Sequence, residues 1–338
     1  MSKHKKPHVH PIDEAWLALG EEAPIGSDVD IVDSHIHLWD FSEPAYFRAA
    51  YEQDARSAGI SASVFVDCTM AYREEGPIEL EPVGEVEFAS QQALGNSSDV
   101  NVAAAIIGWA DLSLGDAVEP VLEALNQAGR GRFRGVRTRA TYDADAVAGY
   151  GDQGAPAGLM GQDAFRRGVE RLAANGYVLD LYAFHTQLGE VADLARAFPD
   201  LPIALNHIGG PLGVGPYADR REQVIADWKA GMSEVACCTN VSVKIGGFAI
   251  SRLGIVTADG RERPVSSEEL ADICRPWVDH CLREFGAERC LFGSNFPVDK
   301  VAIPMRTLVN GMKRLVADLP PSGQAAFFAG NARGLYRI

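Results

Sequence analysis

Two histidines stand two residues apart in an apolar stretch of this sequence, a spacing that can support metal chemistry. They are His35 and His37, within residues 30–39. A β-strand sends alternate side chains to one face, so both imidazoles would point the same way and could bind one metal ion. We therefore expect a histidine site at the end of this strand.

Two further histidines follow other apolar stretches. His207 comes after Ile203 and Leu205, and strand alternation would place it on their face, directed into a barrel towards the first pair. His185 ends another stretch, and its face is ambiguous. Both are candidates to complete the histidine site.

Cationic and aromatic side chains occupy similar positions. Arg137 and Arg139 alternate within residues 133–140 and share one face. A guanidinium in a barrel mouth would bind a substrate carboxylate or a polarised carbonyl through two hydrogen bonds. Lys244 could do the same, or serve as a structural lysine. Aromatic residues that follow strands would offer walls to a ring-shaped substrate: Trp39, Tyr72 and Tyr142.

The elements that carry these residues alternate between short apolar stretches and amphipathic segments. Such a pattern predicts parallel strands joined by helices. Eight strands are expected, at residues 30–39, 62–68, 101–112, 133–140, 178–184, 202–209, 241–248 and 290–296. Eight units favour a closed (β/α)8 barrel over an open doubly wound sheet. No strand is followed by a GxGxxG or GxxxxGK[ST] motif, so a nucleotide site has no support.

Composition excludes several classes of protein. The 338 residues include 31 Lys and Arg against 46 Asp and Glu, a net charge of -15, which disfavours nucleic-acid binding. No apolar stretch is long enough for a membrane span, and the first residues do not resemble a signal peptide, so a cytoplasmic protein is expected.

The predicted organisation is an N-terminal extension, residues 1–29, followed by a single barrel, residues 30–338. Three connections exceed ordinary βα turns: residues 69–90, 210–219 and 249–267. Each follows the carboxyl end of a strand, where barrel enzymes build their active sites. They are candidate lids and substrate walls, although surface insertions of this length are also tolerated.

An ordered set of motifs resembles one enzyme family. The motifs are VDSHIHLWD, FRGVR, LNHIGGP, VSVKIGG, FGSNFPVD and GNARGLYRI. Together they resemble the amidohydrolase superfamily, in particular its amidohydrolase-related branch of sugar lactonases, 2-pyrone-4,6-dicarboxylate lactonase and decarboxylases. The resemblance covers about residues 30–338 and is far less specific for substrate than for fold.

The resemblance implies a distorted barrel whose long βα loops cap its carboxyl-terminal face. It also implies a divalent metal, zinc first and manganese second, while metal-free members of the branch keep a metal-free mechanism open. The implied ligands are His35, His37, His185 and His207. The resemblance favours Arg137 as the residue that binds substrate.

Strand eight departs from the family pattern. Asn295 stands where the superfamily has an aspartate that removes a proton from water. An amide cannot act as a general base. Asp299 could reach the site from the following loop, or could cap the next segment.

The leading interpretation is a hydrolase that opens a lactone or related cyclic ester of a small organic acid by water attack at a histidine or metal site. The alternatives are a metal-dependent decarboxylase of an aromatic or unsaturated acid, and a divergent binding protein without turnover. The expected partner is a small anionic or cyclic-ester molecule. Assembly into a homo-oligomer is left open.

Overall fold

Eight parallel strands form the centre of the computed structural model, which describes residues 10–26, 29–95, 99–151 and 154–338. The strands pair in sequence order. They are β1 Ile31–Ile36, β2 Ile60–Val66, β3 Asn101–Gly108, β4 Phe133–Arg139, β5 Val178–Tyr182, β6 Ile203–Leu205, β7 Val241–Ile245 and β8 Cys290–Phe292. A parallel bridge between Ile36 and Phe296 joins the first strand to the segment after the last. The sheet is thus a nearly closed barrel, as predicted.

Helices surround the barrel and bury their apolar stripes against it. They are α1 Glu14–Ala18, α2 Arg48–Ala58, α3 Val83–Ala93, α4 Glu119–Ala128, α5 Asp163–Ala174, α6 Leu188–Ala197, α7 Arg221–Ala236, α8 Ser267–Phe285, α9 Met305–Leu315, α10 Pro321–Ala325 and α11 Asn331–Tyr336. None of the described helices combines the length and apolarity needed to cross a membrane.

Apolar residues form two main clusters. The larger cluster lies between strands and helices and includes Ile203 and Leu205. The smaller one gathers strand residues inside the barrel, such as Ala204 and Leu291, with Tyr336 from the last helix. The carboxyl-terminal helix therefore contributes an aromatic ring to the barrel interior.

Several predicted strands were too long. The stretch predicted at residues 101–112 ends at Gly108, and the one at 202–209 ends at Leu205. Some of the excess residues, such as Leu112 and Ile208, are buried in loops above the barrel, and burial there gives the same sequence pattern as a strand. Residues that were expected at the ends of strands therefore lie in turns.

Candidate active site

Three buried histidines gather at the carboxyl ends of the strands. The ring centroid of His35 lies 4.9 Å from that of His37 and 4.5 Å from that of His207. Burial lowers the pKa of all three imidazoles, and nearby Arg137 lowers it further; Lys244 adds to the effect on His35 and His207, and the pKa of His37 falls to about 3. The three rings are therefore neutral at pH 7.

Backbone bonds between β1 and the segment after β8 hold the first two histidines. The backbone N–H of His37 donates to the Phe296 carbonyl at 2.8 Å, and that of Asn295 donates to the His35 carbonyl at 2.8 Å. Buried Asp33 accepts from the backbone N–H groups of His35 at 3.2 Å and Ser294 at 2.8 Å. This carboxylate ties the two ends of the barrel together beneath the site.

His207 reaches the cluster through a turn. The expected alternation with Ile203 and Leu205 was wrong, because those side chains pack towards the helices. His207 and Ile208 both have φ of 51°, a left-handed conformation that redirects the chain after β6. A Cβ at Gly247 would lie 2.4 Å from His207 Nδ1, so only glycine leaves room for this ring.

The partners of the rings define their tautomers. His37 Nδ1 lies 2.8 Å from the Val66 carbonyl oxygen, which can only accept, so Nδ1 carries the proton and Nε2 a lone pair. His35 Nδ1 lies 3.5 Å from the Lys244 ammonium, which can only donate, so its proton is on Nε2. Of the two, His37 is the ring that lines the cavity above the barrel.

Lys244 lies beneath the cavity instead of lining it. Its Nζ is 2.6 Å from Asp180 Oδ1 and donates to the Ser34 carbonyl at 2.7 Å. Asp180 also accepts from the hydroxyl of Tyr336 at 2.8 Å. The structure thus places Lys244 in a buried ion pair against His35, in agreement with the structural alternative.

Arg137 is buried yet lines the cavity. Its Nη1 donates to the Asp67 carbonyl at 2.9 Å, whereas its Nε has no hydrogen-bond partner in the described structure. Arg139, on the same face, lies 3.4 Å from the Asp67 carboxylate. Burial opposes the charge of Asp67, but Arg139 and neighbouring donors outweigh it and lower the pKa of this carboxyl. Arg137 is therefore a cation held in place on the cavity wall.

Asn295 and Asp299 form a pair after β8. The Asn295 amide Nδ2 donates to Asp299 Oδ1 at 2.9 Å, and Asp299 Oδ2 accepts from the Ala249 backbone N–H at 3.1 Å. Burial raises the pKa of Asp299 to about 7. Asn295 lines the cavity, and Asp299 supports it from behind. Asn295 also lies against His37, where its side chain raises the pKa of the imidazole.

His185 is not brought to the cluster. It begins a short turn, its ring packs edge-on against Tyr217 with centroids 5.3 Å apart, and its Nδ1 accepts from the Leu212 N–H at 3.3 Å. The charged groups around it are Asp227 and Asp143. It is absent from the described cavity lining, and its role as a ligand stays a prediction.

The cavity above the barrel has a volume of about 840 Å³. Trp39 and Tyr72 line it, as expected; Tyr142 does not belong to the described lining, and Tyr150 takes the wall after β4. The lining residues that sequence reasoning missed include Tyr150 and Arg252, whose guanidinium lies 3.9 Å from the Tyr150 ring centroid. For Arg252 the available signal was the length of the loop at residues 249–267.

The charges on the cavity wall are unlike those of the whole chain. The described lining includes three arginines, Arg137, Arg139 and Arg252, against one carboxylate, Asp111. The wall is therefore positive in a protein whose net charge is -15. Guanidinium groups in such a wall favour carboxylate and other anionic ligands.

The histidines of the site are of a chemical type that binds divalent cations. Neutral imidazoles are zinc ligands, and the His37 Nδ1 bond to a carbonyl is the usual support for a ligating ring. In the described residues, however, no three His, Cys, Asp or Glu side chains form an arrangement that would hold a metal ion. The positive charges of nearby Lys244 and Arg137 would also repel a metal cation bound by these histidines. The metal ligands therefore stay a prediction.

Residues 32–338 match the family model described as Amidohydrolase. The chain belongs to the amidohydrolase family. It is 27% identical over 322 residues to an L-fucono-1,5-lactonase of Burkholderia multivorans, a match covering 91% of this chain and 96% of the lactonase. Family membership and this relative indicate an enzyme.

Two solved structures share the fold. An amidohydrolase from Burkholderia multivorans, described with bound zinc, has a TM-score of 0.70 at 25% identity, covering 91% of this chain and 99% of its own. A 5-carboxyvanillate decarboxylase from Sphingomonas paucimobilis has a TM-score of 0.55 at 11% identity, covering 92% and 100%. At that identity the second match shows the fold alone. The first supports a divalent metal in this family.

Proposed function

We propose that this amidohydrolase family member opens a lactone that carries a carboxylate or another anionic group. The observation that carries the proposal is Arg137, a buried cation that lines the same cavity as the neutral ring of His37. The lactonase relative supports the reaction class, and the positive cavity wall supports an anionic substrate.

His37 is the proposed general base. Its Nδ1 bond to Val66 fixes the ring and leaves the Nε2 lone pair available for a proton. Because burial and Arg137 depress its pKa, the ring is unprotonated at neutral pH, and an anion bound to Arg137 would strengthen it as a base. The Asn295 side chain stabilises the imidazolium once it forms.

The reaction then has two steps. A water oxygen attacks the lactone carbonyl carbon and its proton passes to His37, while Arg137 stabilises the oxyanion that forms. The oxyanion next collapses, the ring C–O bond breaks, and the departing oxygen takes the proton from His37. The product is a hydroxy acid, and His37 returns to its neutral state.

A divalent cation is an alternative to the base role of His37, because a ring that binds metal through Nε2 has no lone pair left for a proton. His35, His37 and His207 would hold it, which requires His35 to give up its Nε2 proton, and when bound it would supply positive charge that polarises the carbonyl. Zinc is the first candidate, since a solved relative is described with it. The steps above are assigned to side chains of this chain alone.

The test compares Arg137→Ala with Arg132→Ala, in which the altered arginine directly precedes β4 and lies outside the described cavity lining. Acid release from a panel of carboxylated lactones is followed by pH-stat. Wild type and Arg132→Ala should turn over alike, and Arg137→Ala should lose about 100-fold to 1,000-fold in kcat/KM. Carbon dioxide release from aromatic acids, without lactone opening, would instead establish the decarboxylase.

A further inference from the structure

The segment of residues 10–26, here called the N-terminal strap, reaches the active-site cavity. His10 and Ile12 are among the residues that line it. We propose that the strap forms part of the substrate-binding wall and selects substrates by their apolar substituents. This inference rests on the proposed lactone hydrolysis and adds a specificity determinant to it.

The strap lies outside the shared family barrel. The family match begins at residue 32. The matches to the L-fucono-1,5-lactonase and to the zinc-bound amidohydrolase each cover 91% of this chain, and they cover 96% and 99% of those proteins. The wall that His10 and Ile12 supply is thus additional to the matched barrel.

An ion pair fixes the first half of the strap to the segment after β8. Glu14 Oε1 lies 2.9 Å from Lys300 Nζ, and the same ammonium lies 2.9 Å from Asp54 Oδ2. Lys300 directly follows Asp299, the partner of Asn295 in the site. The position of the strap is therefore set by the same turn that supports the cavity.

Helix α9 fixes the second half. Three of its side chains donate to strap carbonyls: Thr307 Oγ1 to Gly20 at 2.8 Å, Asn310 Nδ2 to Ala23 at 2.9 Å and Lys313 Nζ to Ile25 at 3.0 Å. Gly20 is buried, and a Cβ there would lie 2.7 Å from Pro264 Cβ. Such close approach needs glycine, so this part of the strap packs tightly on the loop after β7.

The strap adds an apolar side chain to one side of the cavity wall. Ile12 is half-buried and lines the cavity together with Val298 and Val301, which follow β8. The cationic part of the wall comes from Arg137 and Arg139 on β4 and from Arg252 in the loop after β7. A lactone with both an anionic group and an alkyl substituent would use both surfaces.

The experiment removes the strap side chains singly in the full-length protein. Ile12→Ala and His10→Ala are compared with Leu19→Ala, a strap residue that is 62% exposed and outside the described cavity lining. Each is assayed on carboxylated lactones with and without an alkyl substituent. Ile12→Ala should lower kcat/KM about tenfold for the alkylated substrate and less than twofold for the plain one. His10→Ala should alter the ratio of the two values, and Leu19→Ala should match wild type.

Backbone hydrogen exchange tests docking of the strap without substrate. The amides of Leu17 and Gly20, bonded to the carbonyls of Asp13 at 2.9 Å and Leu17 at 3.0 Å, should be protected in wild type and all three variants. Exchange at the rate of a free peptide would overturn the inference. So would an active wild type whose substrate ratios are unchanged in Ile12→Ala and His10→Ala. A wild type that opens no lactone would instead refute the proposed function, and the specificity role with it.

Discussion

Replacing Lys244 by methionine separates a structural lysine from a substrate-binding one. Lys244 and Asp180 are 1% and 0% exposed, and their charged atoms lie 2.6 Å apart. At an effective dielectric constant of about 20, two charges at this distance attract by about 6 kcal/mol, before the opposing loss of hydration is counted. Removing one partner leaves the other charge buried and unpaired, which typically lowers stability by about 3–5 kcal/mol.

The assay is urea unfolding at pH 7, followed by circular dichroism. We expect Lys244→Met to lose about 3–5 kcal/mol of unfolding free energy. Lys244→Met combined with Asp180→Asn should be more stable than the single variant, because no charge is left unpaired. Arg196→Met, which breaks an exposed pair with Glu234 at 2.8 Å, is the matched control and should change stability little.

A loss below about 1 kcal/mol in Lys244→Met would refute this reasoning, since a buried carboxylate cannot lose its counter-ion without a penalty. If kcat/KM fell while stability stayed unchanged, Lys244 would be a substrate-binding residue after all. The two outcomes differ in the quantity that changes, so a single variant decides between them.

Two further predictions concern the support of the site. Gly247→Ala should lower kcat/KM at least about tenfold and should destabilise the protein more than Gly260→Ala. Both glycines have positive φ, of 75° and 73°, but of the two only Gly247 faces His207. Equal losses of stability and of kcat/KM in the two variants would contradict that packing. Asp299 keeps its proton to about pH 7 when folded and to about 3.8 when unfolded, so it makes wild type less stable as pH rises through this window, by up to about 1.4 kcal/mol per pH unit. Asp299→Asn should flatten that slope in urea unfolding at pH 5 and pH 8, and an unchanged slope would show that Asp299 is ionised in the folded protein.

The barrel could be predicted because its signal is repeated. The eight strands are short and mostly apolar, each is followed by an amphipathic helical segment, and an error in one unit does not change the count of the others. The ends of the strands could not be predicted. Trp109 and Ala110 continue the apolar sequence of β3, although they lie beyond its end and line the cavity. Alternation extended past a true strand end then gives the wrong face, as it did for His207.

The sequence also could not predict whether an inward-facing side chain lines the cavity or lies buried beneath it. Alternation places Arg137 and Arg139 on one face, and both line the cavity. Whether a cation contacts substrate or a carboxylate depends on residues of the neighbouring strand, which alternation does not include. Lys244 forms an ion pair with Asp180 of β5, a residue 64 positions away in the sequence. The alternation of residues within β7 cannot indicate that contact. The strap is a stronger case, because His10 and Ile12 reach the cavity through bonds to α9 and to Lys300, near the other end of the chain.

Part of the cavity wall lies outside the region matched by the family, so a relative gives limited information about the substrate of this protein. His37, Arg137, His207 and Asn295 come from the matched barrel, so a lactonase at 27% identity is informative about the reaction class. Under the proposed function, the strap and the loop that carries Arg252 would decide which substituents fit beside the reacting carbonyl, and the strap precedes the matched region. Substrate preference should therefore follow these outer elements, and two family members with the same barrel residues can open the same bond in different molecules.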